Sequence, residues 1–444
     1  MNDATLKFIH QHRNDDVRTL ALKAHGQADI DLPCALDQIA GWQTARHKLP
    51  SWAAIDGLRY PPHLSMEQCS SEKAARYKAA QLQRLLKQSG KSGSSGISRL
   101  SESPTLVDLT GGFGVDFSFL SRDFAKAIYV EQQPHLCDTA RHNFPLLGLT
   151  NADIVCADAI DYLRQMEAAT VIFLDPARRD AHGQRTFAIS DCTPDVTALR
   201  DELAAKAEWT LVKLSPMLDW HKAVDDLSPL VREVHIVAID GECKELLLVL
   251  SQQHEQPLRL FCECDGNRFV CEPSSPLPAH FSPFNAPLED IREGLLLFDP
   301  NAAIMKAGCF EHVATAFRLS TIAPNSHLFL APAPSEESRE QENHNIPERE
   351  NMMEWESDNF PPEGDLRGAF PGRRFRILSV TTMNKKDLRQ ALQGITRANI
   401  AVRNFPMTAD DLRRRLKLSD GGDIYLFGTT TADNRHLLLV CRKC

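Results

Sequence analysis

The chain has 444 residues and a formal net charge of −9, with 43% of its residues hydrophobic and 25% charged. This is the make-up of a soluble globular protein, long enough for two or three domains of roughly 100–200 residues each. No apolar run approaches the ~20 residues of a membrane span, and Met1 to Lys7 lacks the pattern of a signal peptide, so a cytoplasmic protein is expected.

The twelve cysteines are scattered through the chain, and nothing marks secretion, so free thiols are expected rather than a disulfide framework. Cys441 and Cys444 form a lone CxxC with no second pair. Tetrahedral zinc needs four ligands, so no metal site is expected. Charge is unevenly spread: from Pro371 to Cys444 fifteen Lys and Arg face six Asp and Glu, a surplus of +9 on a chain of −9. A basic module on an acidic body suits a polyanionic partner, because neutralising phosphates releases counterions. A solvated basic helix face is the plainer reading of the same residues.

In chain order, residues 1–85 carry helical signals. Leu82, Leu85 and Leu86 form one apolar stripe, with Ser70 or Ser71 as the N-cap of that helix. Gln88 to Pro104 is a Gly- and Ser-rich linker. Thr105-Leu-Val-Asp-Leu-Thr-Gly-Gly-Phe-Gly114 then predicts a buried strand, a glycine turn and the start of a helix at Val115. Strands are predicted at Lys126–Glu131, Ile154–Cys156, Val171–Leu174 and Trp209–Leu214. Helices between them start near Pro134, Ile160 and Pro194. Arg232–Ile239 and Leu246–Leu250, joined through Asp240-Gly241, predict a terminal antiparallel hairpin.

Asp265-Gly266 predicts a second hairpin, followed by a helix near Ala302–Lys306 and a strand at His327–Leu330. Residues 332–372 are acidic and polar and are expected to form a disordered linker. The last segment predicts strand, helix, strand, helix, strand, strand. Asn384 and Thr408 cap its helices, and Gly421-Gly422 stops the second one. The expected domains are a helical segment at 1–100, an α/β domain at 101–255, a hairpin and helical extension at 256–331, the linker, and a small basic α+β domain at 373–444.

In an open α/β sheet the strand ends converge on one crevice. Here they carry Asp108, Glu131, Asp158 and Asp175. An acid after the second strand can accept hydrogen bonds from both ribose hydroxyls of an adenosine cofactor. The GxGxxG pattern of NAD sites is incomplete, since Phe117 stands where its third glycine belongs, and no GxxxxGK[ST] is present. Acidic strand ends repel a pyrophosphate but suit a cationic sulfonium, which favours S-adenosyl-L-methionine.

Val107-Asp-Leu-Thr-Gly-Gly-Phe-Gly114, Glu131, Asp158, Leu174-Asp-Pro-Ala-Arg178 and the hairpin ending resemble the class I S-adenosylmethionine-dependent methyltransferases over roughly residues 105–251. Gln68 to Lys78, Lys213-Leu-Ser-Pro-Met217, Arg403-Asn-Phe-Pro406, Leu416-Lys-Leu418 and Tyr425-Leu-Phe427 extend the resemblance to the bacterial subgroup with a C-terminal THUMP-like domain. The fold class implied is α/β: a Rossmann-like seven-stranded sheet, a helical N-terminal segment and a ferredoxin-like C-terminal domain.

The resemblance also implies the sites. Asp108, Thr110, Gly111, Gly112, Phe113 and Gly114 would hold the methionine part, Glu131 the ribose, and Asp158 with Ala159 the adenine edge. Gln68, Ser71 and Lys78 would cover the cofactor. Asp175, Pro176 and Arg178 form the implied catalytic motif, with Asp175 also touching the cofactor. THUMP domains are associated with RNA, which makes Arg373, Arg374, Lys385, Lys386, Arg403, Arg413, Arg414 and Lys417 candidate RNA contacts.

The motif departs from the amino-methyltransferase pattern of Asn or Asp, Pro, Pro, aromatic. Ala177 and Arg178 fill the last two places, so the usual stacking ring is missing, and Arg178 and Arg179 suit either a phosphate or nearby acids. Cys192 is a candidate nucleophile for a C5-pyrimidine mechanism, or a buried thiol. The function expected is methylation of RNA. Methylation of a protein or small molecule, and RNA binding without catalysis, are the alternatives.

Overall fold

A computed structural model describes residues 1–23, 29–89, 103–177, 189–252, 256–275, 291–331 and 370–444. The chain divides into two compact units, residues 1–234 with 244–256, and residues 235–243 with 257–444.

The first unit opens with six helices: α1 (Asp3–His12), α2 (Val17–Lys23), α3 (Leu32–Lys48), α4 (Pro50–Ala53), α5 (His63–Gln68) and α6 (Glu72–Ser89). Of the two predicted caps for α6, Ser71 is the one used: its Oγ accepts from the Ala74 N–H at 3.3 Å. The buried positions of α6 are Glu72, Ala74, Ala75, Lys78, Gln81, Leu82 and Leu85. They recur every three or four residues, which is one helix face. Lys78 and Gln81 therefore lie on the same buried face as the predicted leucines.

Strands and helices then alternate: β1 (Thr105–Asp108), α7 (Val115–Leu120), β2 (Lys126–Glu131), α8 (Pro134–Leu146), β3 (Ala152–Cys156), α9 (Ala159–Gln165), β4 (Ala169–Leu174), α10 (Val196–Lys206), β5 (Ala207–Leu214), α11 (Trp220–Asp226), β6 (Val231–Ile239) and β7 (Glu242–Leu250). Within this unit the strand order is β3-β2-β1-β4-β5-β7. The first five strands are mutually parallel, and β7 runs antiparallel to β5, with Thr210 opposite Leu250 and Leu214 opposite Leu246. The chain leaves β1 toward β2 and returns on its other side as β4. Such a reversal opens a crevice at the carboxyl ends of β1 and β4, where Asp108 and Asp175 stand.

The helical segment shares its core with the sheet. Trp52 and Tyr60 join Phe117, Tyr129 and Phe144 in one buried cluster. The Trp52 ring meets Phe113 of the glycine loop edge-on at 5.0 Å between centroids.

In the second unit β8 (Arg259–Cys264) and β9 (Asn267–Cys271) form the expected hairpin, turning at Asp265 and Gly266, both with positive φ. After them come β10 (Leu296–Pro300), α12 (Ala302–Ala307), α13 (Phe310–Phe317), β11 (Ser320–Thr321), β12 (Phe329–Ala331), β13 (Gly372–Thr382), a helix at Lys385–Ala391, β14 (Asn399–Arg403), a helix at Ala409–Leu416, β15 (Ile424–Thr430) and β16 (His436–Lys443). A seven-stranded sheet has the order β11-β12-β10-β13-β16-β15-β14.

Two features differ from the sequence expectation. Residues 256–331 read as an extension separate from the C-terminal domain, yet β10 pairs along β13, from Leu296 opposite Arg376 to Pro300 opposite Gly372. Pairing across so long an interval leaves no mark on local periodicity. The helix after Thr408 ends not at Gly421-Gly422 but at Lys417, which takes the left-handed C-cap conformation at φ 56°. The Thr408 cap is present, with its Oγ1 accepting from the Asp411 N–H at 3.1 Å.

Candidate active site

The glycine loop is fixed by its own backbone and by the floor beneath it. Gly111 donates to the Val130 carbonyl at 2.8 Å. A Cβ on Gly111 would lie 2.2 Å from the Tyr129 ring, and one on Gly114, whose φ is +84°, would lie 2.8 Å from Phe144. These two positions need glycine because the loop rests directly on aromatic rings. At Gly112 an added Cβ would meet nothing nearer than the Thr110 carbonyl at 3.8 Å, so the loop faces open space there.

Four acids stand at or just after the ends of β1, β2, β3 and β4. Asp108, 1% exposed at the end of β1, accepts from the Thr110 N–H at 3.0 Å. Burial pushes its carboxyl well above the ordinary carboxylate range; the Thr110 N–H opposes that rise, and Asp116, Asp175 and Glu131 add to it. Glu131, at the end of β2, accepts from the Gly112 N–H at 2.9 Å and the Gln133 N–H at 2.8 Å, one on each oxygen. Asp158 is exposed and caps α9, accepting on Oδ1 from the Ile160 N–H at 2.8 Å and the Asp161 N–H at 3.1 Å. Ala159 is the first residue of that helix. Asp175 ends the row, its N–H donating to Thr110 Oγ1 at 2.6 Å and so joining the fourth strand end to the first.

The sequence reading did not single out Lys213 as a site residue, nor Asp116 and Glu245. In the β4–β5 pair Leu174 stands opposite Val212, which brings the next residues, Asp175 and Lys213, side by side. Lys213 Nζ donates to Asp175 Oδ2 at 2.5 Å and lies 3.7 Å from Asp116 Oδ2. Burial works against this ammonium, but Asp175, Asp116 and Glu245 more than offset it and hold its pKa above the ordinary lysine value. The available signal was a lysine in an otherwise apolar buried strand, Leu211-Val-Lys-Leu214.

Asp116 also accepts from Ser70 Oγ at 2.7 Å. Burial raises the Asp116 carboxyl, yet Lys78, Lys213 and the Ser70 hydroxyl prevail and hold it below its ordinary value.

Lys78, expected over the cofactor, is fully buried instead. Its Nζ donates to both Glu245 oxygens at 2.8 and 2.6 Å and to Ser70 Oγ at 3.2 Å, and lies 3.2 Å from Asp116 Oδ1. Those partners use every donor of an ammonium, so Lys78 ties α6 to β7 and α7. Gln68 is exposed at the end of α5, and Ser71 is the α6 cap.

Pro176 is buried, and Ala177 forms a two-way backbone bridge with Thr193 at 2.8 and 2.9 Å. Arg178 and Arg179 lie outside the described residues. Cys192 is 4% exposed, the surroundings of a packed thiol rather than of a nucleophile open to a base.

Among the C-terminal candidates, Arg373 and Arg403 both hold Asp299, at 2.6 and 2.9 Å. Arg413 pairs with Asp410 and Asp420 at 2.6 and 2.7 Å, and Arg414 with Asp411 at 2.5 Å. Lys385 and Lys386 are exposed in the first turn of the helix Lys385–Ala391. Lys417 is the helix C-cap described above, and Arg374 is half-buried on β13. Among the described residues no group of three or more His, Cys, Asp or Glu is placed to hold a metal, and no helix is long and apolar enough to cross a membrane.

Two family matches fall in the second unit: a THUMP domain-like family over residues 372–443, and a ferredoxin-like domain over 296–337. A solved protein from Porphyromonas gingivalis W83, provisionally described as a methyltransferase, is similar over 99% of this chain and 98% of its own, with 29% identity and a TM-score of 0.75. A SAM-dependent methyltransferase from Agrobacterium tumefaciens is 20% identical over 29% of this chain and 44% of its own, at a TM-score of 0.24, too low to carry weight. No curated protein matches the chain.

Proposed function

We propose that this chain, which has the fold of the class I methyltransferases and carries a THUMP-like domain at its C-terminus, transfers a methyl group from S-adenosylmethionine to a nucleotide of cellular RNA. The cytoplasm is its compartment in this reading. The observation that carries it is the row of acids, Asp108, Glu131, Asp158 and Asp175, at successive strand ends, together with an open glycine loop.

The residues fit the cofactor. The backbone at Gly112 faces open space, so a ligand can approach it without meeting a side chain. Glu131 is held in place by two backbone N–H groups and keeps lone pairs for a ribose diol. Asp175 offers the crevice a partly exposed carboxylate, and a cation bound beside Asp108 would favour its ionised form, so both suit a sulfonium and an amino group. When bound, S-adenosylmethionine supplies an activated methyl on a positively charged sulfur.

The chain's own part is positioning. Lys213 holds Asp175 Oδ2, and among the described residues nothing is bonded to Oδ1, which can accept a hydrogen bond from an N–H of the methyl acceptor. The Ala177–Thr193 bridge fixes the turn that carries Asp175. The basic C-terminal domain draws in the polyanion, and salt weakens that step.

The experiment is transfer of labelled methyl from S-adenosylmethionine to total RNA from cells lacking the protein, with wild type beside Asp175→Asn. Label in RNA from wild type alone, localised by nucleoside digestion, is the expected result. Cofactor binding without transfer to RNA, but with transfer to protein or small-molecule fractions, overturns the RNA assignment. Cofactor binding with no transfer to any fraction leaves RNA binding without catalysis.

A further inference from the structure

The eleven arginines from Arg373 to Arg442 are partnered unequally: Arg397 donates to the Asp420 carbonyl, Arg415 lies against the Met407 sulfur, and Arg389 is exposed on its helix. Arg373, Arg403, Arg413, Arg414 and Arg435 are each held by a carboxylate of the same unit, Asp299, Asp410, Asp420, Asp411 or Asp433. Arg374, Arg376 and Arg442 are placed differently. In the antiparallel β13–β16 ladder Arg376 stands directly opposite Arg442. Directly opposed residues project from the same face with Cβ atoms roughly 5 Å apart, and like charges there destabilise the pair. Arg374, two residues before Arg376, lies on that face as well. The alternate residues Phe375 and Ile377 point the other way, into the core.

The neighbouring strands offer these arginines no acid. Leu296 and Phe298 of β10 stand opposite Arg376 and Arg374, and Ile424 of β15 stands opposite Arg442. Arg376 and Arg442 are exposed and Arg374 is half-buried. No ion pair among the described residues joins any of the three to a carboxylate. A fold that neutralises five nearby arginines internally thus keeps a like-charged cross-strand pair at its surface.

We propose that the exposed guanidinium pair Arg376 and Arg442, with half-buried Arg374 beside it, is where the RNA phosphate backbone docks. This rests on the reading of the protein as an RNA methyltransferase. The guanidinium fork matches phosphate oxygens in a bidentate manner, and a bound phosphate removes the repulsion between Arg376 and Arg442. The strands hold the cluster rigidly, so little backbone ordering accompanies binding.

The test uses the full chain and end-labelled total RNA from cells lacking the protein, titrated at several salt concentrations. Wild type is compared with Arg376→Gln/Arg442→Gln, with the charge-retaining Arg376→Lys/Arg442→Lys, and with Lys385→Gln/Lys386→Gln on the helix Lys385–Ala391. The Gln pair is expected to lose about tenfold or more in affinity, and its log–log salt slope to fall by about 1.4, for two phosphate contacts on a single strand. The Lys pair keeps most of the slope. The thermal midpoint of the Gln pair stays level or rises, because a like-charge contact is removed. Unchanged affinity and slope in the Gln pair overturn the proposal, as does a loss seen only with Lys385→Gln/Lys386→Gln. If wild type itself binds no RNA, the functional reading falls, and this surface with it.

Discussion

Lys213 Nζ stands 2.5 Å from Asp175 Oδ2 across the parallel pair β4–β5. The lysine is buried, with 10% of its side chain exposed, while 34% of the Asp175 side chain is exposed. The ammonium therefore holds the carboxylate from behind, and Asp175 presents a fixed edge to the crevice.

Replacing Lys213 with Met releases Asp175 from that orientation. Methyl transfer is expected to fall about 100-fold, the cost of a small misplacement at a reacting centre. The loss should appear in kcat, with cofactor affinity close to wild type. Lys213→Arg restores a cation and should recover part of the rate. Equal losses in the two variants would mean that Lys213 serves folding alone.

Lys78 predicts a stability effect instead. Removing its ammonium leaves Glu245 and Asp116 buried beside one cation fewer, and breaking a buried pair on one side costs about 3–5 kcal/mol. Urea unfolding of Lys78→Met should show a loss of that order. Adding Glu245→Leu should return much of it, because the second change removes the stranded charge. A double variant no more stable than Lys78→Met would refute this account of the pair.

Asp108 sets a pH dependence of definite sign. Its carboxyl titrates well above the ordinary 3.8 in the folded chain because it is buried. Between those two values the folded state holds a proton that the unfolded state has released. This group therefore lowers stability progressively as pH rises from about 4 toward its folded value. Asp108→Asn should flatten that part of the stability–pH curve and weaken cofactor binding about 10- to 100-fold, through loss of a hydrogen bond to a charged group. Asp116, with its carboxyl lowered, acts oppositely: its contribution is full above its ordinary value and disappears as pH falls through the folded one. An unaltered slope in Asp108→Asn would show that another group sets it.

Gly111→Ala tests the loop floor. The new Cβ would fall 2.2 Å from the Tyr129 ring, an overpacking that costs about 1–3 kcal/mol and lifts the loop. Thermal unfolding and cofactor binding should both weaken. Gly112→Ala meets no such contact, so its cost is limited to the strain of a positive φ, about 1 kcal/mol. Similar midpoints for the two would exclude the ring contact as the reason for glycine.

Much of the site was legible locally. Short apolar runs ending in Asp108, Glu131 and Asp175 mark strand ends, because a buried parallel strand needs apolar side chains on both faces and its polar residues fall where it emerges. Lys78 shows the limit of that reading. A charged residue between good helix formers looks like a surface position, and only Glu245, far away in sequence on β7, makes its burial possible. The same holds for Arg373 and Arg403: composition counts them as free positive charge, while Asp299 on β10 holds both.

The alternation of strands and helices from Thr105 to Leu214, the glycine loop, the acids at the strand ends and the basic surplus of the C-terminal segment are all readable along the chain, since each depends on residue type and short-range spacing; the helices Trp220–Asp226 and Phe310–Phe317 are not. Which charges meet is settled by packing: Lys213 with Asp175, Lys78 with Glu245, Arg373 and Arg403 with Asp299, and Arg376 against Arg442. Strand pairing brings together residues widely separated along the chain. Whether a buried charge is supported or stranded depends on which neighbour that pairing supplies.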